Sequence, residues 1–383
     1  MSYLKFDKTV MINLEESLTR EVLRTNRLGA YHSSTVVDCN TRKYHGLLVM
    51  PVPALDDDNH VLLSSLDETV IQHGAEFNLG LHKYGENNFS PKGHKYIREY
   101  TCDTVPRTVY RVGGVIFSKE KVFSMFENRI MIKYTLEDAH SATTLRFRPF
   151  LAFRSVKELT YANGNLNQNY TVVPNGIKMC LYPGYPELFM QFSKKVNFVF
   201  DPKWYYGIEY SKEQERGYPY KEDLFVPGYF EVPIKKGETI VFSAGDSQVA
   251  TTRLKTLYDT EVAARTPRTS FYNCLKNSAQ QFYFRPKKQD AYLLAGYPWF
   301  KVRARDLFLA TPGCTLSIDD PVRFEKIMAT ALPALRAFME DGAQDPVIQE
   351  IEQPDVILWA IWAIQQYAKV VGIDKARELY KEF

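Results

Sequence analysis

The stretch AYLLAGYPWFKVRARDLFLATPGCTL, residues 291–316, places aromatic, basic and acidic side chains directly before an apolar helix start. Tyr297 and Trp299 supply ring faces, and Arg305 and Asp306 follow within the same stretch. Aromatic rings stack on the apolar faces of sugars, and Arg and Asp form charge-assisted hydrogen bonds with hydroxyl groups. The same residues also suit a loop with a surface ion pair and a few core rings. The residue types alone leave both interpretations open.

The overall composition is that of a globular protein with more than one domain. The chain has 383 residues, 45% of them hydrophobic and 24% charged, which suits two or three domains. A net charge of +3, with no run of five Lys or Arg residues, argues against a nucleic-acid partner. No apolar stretch approaches the roughly 18 residues of a membrane span, and the N-terminus lacks the apolar segment of a signal peptide. We therefore expect a cytoplasmic protein without a membrane partner.

Cysteine and histidine spacing indicates neither a metal site nor a cofactor. The 5 cysteines lie far apart without a C-x-x-C pair, and the 7 histidines show no H-x-x-H or H-x-x-x-H spacing. Zinc sites and disulfide frameworks depend on such patterns. We expect reduced thiols, no metal and no cofactor.

Residues 1–250 are typical of a chain of short strands. Residues 108–112 and 115–119 flank Gly113 and Gly114, which is a two-residue hairpin signal. Residues 144–153 alternate between apolar and basic side chains, and Pro149 within them predicts an edge strand or a bulge. Many short strands with turn signals predict a large β-sandwich, about twice the size of an immunoglobulin domain.

The periodicity becomes helical after residue 250. We interpret residues 251–288 as a helical linker and residues 289–383 as a second, helical domain. Asp320 and Pro321 predict the N-cap and first residue of a helix with an apolar stripe that ends at Gly342. Residues 355–370 predict a helix that is buried all round, because its first two turns are apolar on nearly every side. These segments do not close a domain, so we expect a truncated chain or a missing half supplied by another polypeptide.

Four stretches, taken together, resemble a known family. They are TNRLGAYHSSTVVDCNTRKYHGLLV at residues 25–49, RPFLAFR at 148–154, WYYGIEY and RGYPYKEDLFVPGYF within 201–230, and the opening stretch at 291–316. The chain thereby resembles glycogen debranching enzymes of the bacterial and archaeal type, the amylo-α-1,6-glucosidase family. The resemblance implies a multi-domain architecture, β then α, with a large N-terminal β-sandwich followed by the first helices of an (α/α)6 barrel. It also implies inverting hydrolysis of the α-1,6-linked glucose at a trimmed branch point.

The resemblance assigns a candidate general acid. Inverting glycosidases use two carboxylates, one of which protonates the leaving oxygen. Asp355, within IEQPDVILW at residues 351–359, matches the family's acid, and Glu352 is the backup candidate. The structural alternative is an acidic residue in a first helical turn, favoured by the helix dipole. The family's general base lies later in the barrel and matches no residue here, so we expect this polypeptide alone to be inactive.

The resemblance also assigns residues that hold the sugar. Arg305 and Asp306 match the family's R-D pair, and Tyr297 and Trp299 match its aromatic residues. The W-G dipeptide that precedes R-D in the family is RA at residues 303–304 in this chain. The structural alternatives are an N-cap for Asp306, an ion pair that orders a loop for Arg305, and a core position for Trp299.

The expected partners are glycogen or another branched α-glucan, together with the missing C-terminal part of the barrel. Two other functions fit the same sequence. One is a non-catalytic glucan-binding or assembly module, and the other is a disaccharide phosphorylase with a sandwich and an (α/α)6 barrel. Glycogen co-sedimentation without turnover would favour the first alternative. Phosphate-dependent turnover would favour the second.

Overall fold

The computed structural model describes residues 3–85 and 88–381, which belong to two compact units. The sandwich unit comprises Met1–Asn26 and Ala30–Phe271, and the helical unit comprises Arg27–Gly29 and Tyr272–Phe383. The division between Phe271 and Tyr272 falls inside the segment interpreted as a linker.

The sandwich unit is built almost entirely from antiparallel strands. Its strands are, in chain order, β1 (Lys5–Asp7), β2 (Glu21–Thr25), β3 (Tyr31–Thr35), β4 (Gly46–Pro51), β5 (Asn59–Gln72), β6 (Ala75–Asn78), β7 (Leu81–Tyr84), β8 (Asn88–Lys92), β9 (Ile97–Cys102), β10 (Pro106–Val112), β11 (Val115–Phe123), β12 (Arg129–Asp138), β13 (Thr143–Ser155), β14 (Tyr170–Val173), β15 (Gly176–Met179), β16 (Leu188–Phe192), β17 (Asn197–Glu209), β18 (Lys221–Ile234) and β19 (Thr239–Gly245). Its helices are α1 (Lys8–Ile12), α2 (Leu14–Ser17), α3 (Ser211–Glu215) and α4 (Leu254–Ala263).

These strands form two large sheets. One has the order β1-β9-β10-β11-β12-β19-β16-β15-β14, and the other has the order β2-β3-β4-β5-β13-β18-β17-β7-β8, with β6 paired to β5. The hairpin predicted at Gly113 and Gly114 is confirmed, because Val112 pairs with Val115 across a two-residue turn. Both glycines have positive φ, 56° and 81°, as a type I′ turn requires.

The core of the sandwich unit lies between the two sheets. Tyr134 on β12 and Phe147 on β13 are both buried, and their ring centroids lie 4.9 Å apart. Phe147 in turn lies 5.2 Å from the ring of Phe192 on β16. Rings at these separations bury large apolar areas and add a specific pair interaction. The face-to-face packing therefore matches the predicted β-sandwich.

A buried ion pair joins two neighbouring strands of the second sheet. The carboxylate of Glu222 on β18 accepts hydrogen bonds from Nε and Nη2 of Arg154 on β13, the latter at 2.9 Å. The Tyr210 hydroxyl and the Thr160 N–H, at 2.9 Å, donate to the same carboxylate. The Glu222 side chain is completely buried, at 0% exposure. Its charge is therefore neutralised inside the fold by Arg154 and the neutral donors around it.

Pro149 lies in a strand that is paired on both sides, so the prediction of an edge position is wrong. Its strand, β13, pairs with β5 and with β18. The alternative prediction of a bulge is confirmed, because the register against β18 shifts between Phe147 and Leu151. A proline has no N–H to donate to the hydrogen bonds between strands. The bulge accommodates the missing hydrogen bond.

The helical unit contains short strand pairs and longer helices. Its strands are β20 (Tyr283–Phe284), β21 (Tyr292–Leu293), β22 (Val302–Arg303) and β23 (Ile348–Gln349). Its helices are α5 (Phe271–Gln280), which begins at the boundary between the units, α6 (Ala304–Cys314), α7 (Pro321–Asp341), α8 (Val356–Val371) and α9 (Ile373–Tyr380).

Helix α7 begins and ends as predicted. The Asp320 side chain accepts a hydrogen bond from the Arg323 N–H at 2.9 Å, which caps the helix before Pro321. Gly342 ends the helix with a positive φ of 69°, a conformation that glycine adopts without strain. The buried stripe consists of Phe324, Ile327, Met328, Ala331, Leu332 and Leu335.

Helix α8 has a buried face and an exposed face, so the prediction that it is buried all round is wrong. Val356, Ala360 and Tyr367 are buried, whereas Leu358 is 65% exposed. The described helices α6, α7 and α9 contact α8, and an apolar side chain is buried only where a neighbour covers it. None of the described helices is both long and apolar enough to cross a membrane.

Candidate functional site

A short parallel strand pair in the helical unit brings together two stretches that lie about 50 residues apart. Val302 pairs with Ile348, and Arg303 pairs with Gln349. Val302 and Ile348 are buried, which fixes the pair in the core of the unit. Helix α6 begins directly after β22, and α8 begins shortly after β23. The starts of these two helices are therefore neighbours.

Arg305 and Asp355 form a two-point ion pair at these helix starts. Arg305 Nη2 lies 2.9 Å from Asp355 Oδ1, and Arg305 Nε lies 2.9 Å from Asp355 Oδ2. Trp359 Nε1, one turn into α8, donates to Asp355 Oδ2 at 3.0 Å. Two parallel N–H···O bonds give an arginine–carboxylate pair a defined geometry. The pair thus fixes the direction in which the Asp355 carboxylate points.

The electrostatic effect on Asp355 follows from its donors. The hydrogen bond from Arg305 lowers the pKa of Asp355, and the hydrogen bond from Trp359 adds to the effect. The same contact raises the pKa of Arg305. Asp355 is therefore ionised in this arrangement. The side chains of Arg305 and Asp355 are 50% and 35% exposed, so a ligand in solution can reach both.

A second pair, which the sequence analysis did not identify, lies beside the first. Arg303 Nη2 lies 2.6 Å from Glu350 Oε1, and the Arg303 guanidinium lies 4.9 Å from the centroid of the Phe300 ring. The sequence shows basic residues at 303 and 305 and acidic residues at 350 and 355, which is the only sign of this pair. Without the β22–β23 pairing, nothing relates the two sets.

The remaining predicted site residues differ in exposure. The Trp299 side chain is 39% exposed, so its ring is available to a ligand. Tyr297 is half-buried, with its ring centroid 6.2 Å from that of Phe282. Asp306 is half-buried in the first turn of α6, whose N-cap is Arg303, so the N-cap alternative for Asp306 is wrong. Glu352 is exposed in the turn before α8.

Within residues 3–85 and 88–381, no group of three His, Cys, Asp or Glu side chains is arranged to hold a metal ion. The polar groups around Asp355 are a guanidinium and an indole N–H. They are hydrogen-bond donors that suit the hydroxyl and ring oxygens of a neutral ligand.

Comparison with known families covers both units of the chain. The model described as glycogen debranching enzyme N terminal matches residues 20–241, and the model described as amylo-alpha-1,6-glucosidase matches residues 276–382. The chain belongs to the glycogen debranching enzyme family. The predicted assignment is thereby confirmed at the level of the glycogen debranching enzyme family. No curated protein matches the chain.

Two solved structures show weaker similarity to this debranching enzyme family member. A bacterial glucoamylase complexed with acarbose aligns with 100% of this chain and 60% of its own, at 8% identity and a TM-score of 0.42. A polysaccharide lyase aligns with 60% of this chain and 33% of its own, at 12% identity and a TM-score of 0.22. The chain thus spans about 60% of the length of the glucoamylase.

The amylo-alpha-1,6-glucosidase match includes both stretches that meet at the β22–β23 pair. Arg305, Asp306 and Asp355 all lie within the matched residues. Arg303, which pairs with Glu350, also lies within the matched residues.

Proposed function

We propose that the site at Asp355 serves the hydrolysis, with inversion, of the single α-1,6-linked glucose at trimmed branch points of glycogen or a related branched α-glucan, and that it supplies the acid half of this reaction. The observation that carries the proposal is the exposed Arg305–Asp355 pair, 2.9 Å apart at both contacts. It lies within the residues that match the amylo-alpha-1,6-glucosidase model. The half-exposed ring of Trp299 supports a sugar ligand in the same unit.

We assign one role in the reaction to each of the predicted site residues. Trp299 and Tyr297 contact the apolar face of the terminal glucose, because ring faces complement C–H surfaces. Arg305 and Asp306 hold its hydroxyl groups through charge-assisted hydrogen bonds. Asp355 donates a proton to the glycosidic oxygen as that oxygen leaves the anomeric carbon.

The protonation of Asp355 depends on Arg305. In the ligand-free arrangement Arg305 lowers the pKa of Asp355, and an ionised carboxylate cannot act as the acid. We propose that the hydroxyl groups of the bound sugar take over the Arg305 hydrogen bonds. Removing the cation and excluding water both raise the pKa of a carboxylic acid. Substrate binding thus prepares Asp355 to hold a proton.

The general base is assigned to none of the described residues. We therefore expect residues 1–383 by themselves to release little glucose from a branched limit dextrin. Azide can replace the base-activated water as nucleophile. It attacks the anomeric carbon opposite the leaving oxygen, while Asp355 gives its proton to that oxygen. The products are β-glucosyl azide and the debranched glucan chain, so an inverted product is expected.

The test compares the wild-type chain with Asp355→Asn and Glu352→Gln, with and without azide, and measures glucose and glucosyl azide by chromatography. Azide-dependent β-glucosyl azide that disappears in Asp355→Asn and persists in Glu352→Gln supports the proposal. The reverse pattern transfers the acid role to Glu352. Rapid glucose release without azide contradicts the expectation that residues 1–383 by themselves release little glucose. The α-anomer of the azide contradicts inversion.

One observation favours a non-catalytic glucan-binding module as the second candidate. The Arg305–Asp355 pair keeps the carboxylate ionised, which suits a residue that only accepts hydrogen bonds from sugar hydroxyls. Under this alternative the wild-type chain co-sediments with glycogen, and azide yields no glucosyl azide at any pH. Turnover that requires inorganic phosphate would instead identify a phosphorylase.

A further inference from the structure

The sandwich unit contains a cleft lined by aromatic side chains that the proposed catalytic chemistry does not use. The cleft has a volume of about 550 Å³, within the range of about 300–1,000 Å³ that is usual for ligand sites. It lies along β17, and we call it the aromatic cleft. Its lining includes Gln168, Lys203, Trp204, Tyr205, Tyr206 and Phe225.

Two irregularities in β17 shape the aromatic cleft. The register against β18 shifts on each side of residues 203–205. At the second shift, the Asp223 carboxylate accepts hydrogen bonds from the Gly207 N–H at 2.8 Å and from the Ala162 N–H at 3.0 Å. Gly207 has a positive φ of 66°, a conformation that favours glycine. The bulge brings Tyr206 to the surface, where its side chain is 65% exposed.

Two further rings of the lining, those of Tyr205 and Trp204, rest on buried aromatic residues. The Tyr205 ring centroid lies 4.7 Å from that of Phe150, and the Trp204 ring centroid lies 5.5 Å from that of Phe225. Phe150 and Phe225 are buried. Side chains supported in this way lose little further freedom when a ligand binds, which favours affinity.

The charge of the aromatic cleft suits a neutral ligand. Lys203 is the charged residue of its lining, and Lys203 Nζ lies 2.6 Å from Asp201 Oδ2. Trp204, Tyr206 and Gln168 combine apolar surface with hydrogen-bonding atoms. A pyranose ring likewise presents C–H faces and a rim of hydroxyl groups. A sugar ligand can therefore stack its C–H face on the rings and form hydrogen bonds with the polar atoms at their edges.

We propose that the aromatic cleft binds a stretch of neutral α-glucan chain and gives the sandwich unit its own glucan site. The choice of a glucan rests on the proposed function, because family membership supplies the substrate class. Glycogen carries many equivalent chains. A second point of attachment therefore raises the local concentration of branch ends at the helical unit without any new contact there.

The experiment uses the full chain labelled with 5-fluorotryptophan and titrated with maltoheptaose. The four tryptophans, at positions 204, 299, 359 and 362, give separate fluorine resonances, and Trp204→Phe assigns the one of interest. We expect a saturable shift of the Trp204 resonance. Tyr206→Ala should weaken this binding about fivefold, because one stacked ring contributes about 1 kcal/mol. Tyr206→Phe should retain most of the affinity, and Tyr218→Ala, an exposed tyrosine outside the lining, should match the wild type.

The outcomes separate this proposal from the proposed function. A Trp204 resonance that does not move, or an unchanged affinity in Tyr206→Ala, overturns the glucan site in the aromatic cleft. A shift confined to the Trp299 resonance also overturns the glucan site in the aromatic cleft, but it leaves the hydrolase proposal intact. If Tyr206→Ala abolishes self-association of the chain and leaves sugar binding unchanged, the occupant is a second copy and the glucan proposal is overturned. The azide experiment decides the hydrolase proposal whatever the titration shows.

Discussion

Replacing Glu222 by Gln tests how the sandwich unit tolerates a buried charge. The substitution keeps the shape of the side chain but removes its charge. The new amide group also points its own N–H donors at the N–H and O–H groups that donate to Glu222. Arg154, which is almost fully buried, then has no carboxylate partner. The hydroxyl of Tyr210 and the N–H of Thr160 compete for one remaining oxygen.

The expected loss of stability is large. Removing one partner of a buried ion pair costs about 3–5 kcal/mol, because the other charge remains desolvated. For a unit of this size the melting temperature falls about 2 °C per kcal/mol, so a decrease of about 6–10 °C is expected. A matched control is Glu231→Gln, because Glu231 pairs with Arg146 at a partly exposed site where Glu76 also contacts the guanidinium. Exposed pairs contribute about 0–1 kcal/mol.

The assay is thermal and urea unfolding observed at Trp204, the tryptophan that residues 1–271 contain. Fluorine labelling of this residue reports the sandwich unit separately from the helical unit. Adding Arg154→Met to Glu222→Gln should recover part of the stability, because the uncompensated charge is removed. A loss below 1 kcal/mol in the Glu222→Gln variant, equal to that of the Glu231→Gln control, would refute the reasoning.

Three further predictions follow from single contacts. Arg305→Gln raises the pKa of Asp355, because the hydrogen bond that lowers it is lost; carbon NMR of the Asp355 carboxyl group checks this. Burial lowers the pKa of His32 to about 3, so as pH falls from about 6.5 toward 3 the unfolded chain takes up a proton that the folded chain does not. Stability therefore decreases by at most about 1.4 kcal/mol per pH unit, and urea unfolding of His32→Gln at pH 7 and pH 5 should show a smaller decrease. Asp320→Ala removes the N-cap of α7 and should cost about 1 kcal/mol, measurable by thermal unfolding followed by circular dichroism.

Local features of the fold were predictable from the sequence where one short segment carries the whole signal. The Gly113–Gly114 turn and the cap of α7 at Asp320 depend on residues within a few positions of one another. Pro149 shows the limit of such local reasoning. A proline predicts an irregular ladder, but the number of strands that flank it is decided by residues far away in sequence.

The candidate site depends on a long-range contact that no local pattern encodes. Arg305 and Asp355 were each identified from the family resemblance, but their pairing follows from the two-residue ladder between β22 and β23. The exposed Leu358 has a related cause. Apolar composition shows that a side chain can be buried, whereas burial itself requires a neighbour, and the described helices contact other faces of α8.

The two-point contact between Arg305 and Asp355 links ligand binding to proton exchange with the solvent. A ligand that draws the guanidinium away strengthens the hold of Asp355 on a proton, since the hydrogen bond from Arg305 is what lowers its pKa. By thermodynamic linkage, a lower pH then strengthens the binding of the same ligand. The coupling free energy is the same in both directions. Calorimetric titrations in buffers with different ionisation enthalpies would count the protons taken up per sugar bound. The helical unit would thus take up a fraction of a proton as the sugar binds and release it as the sugar leaves.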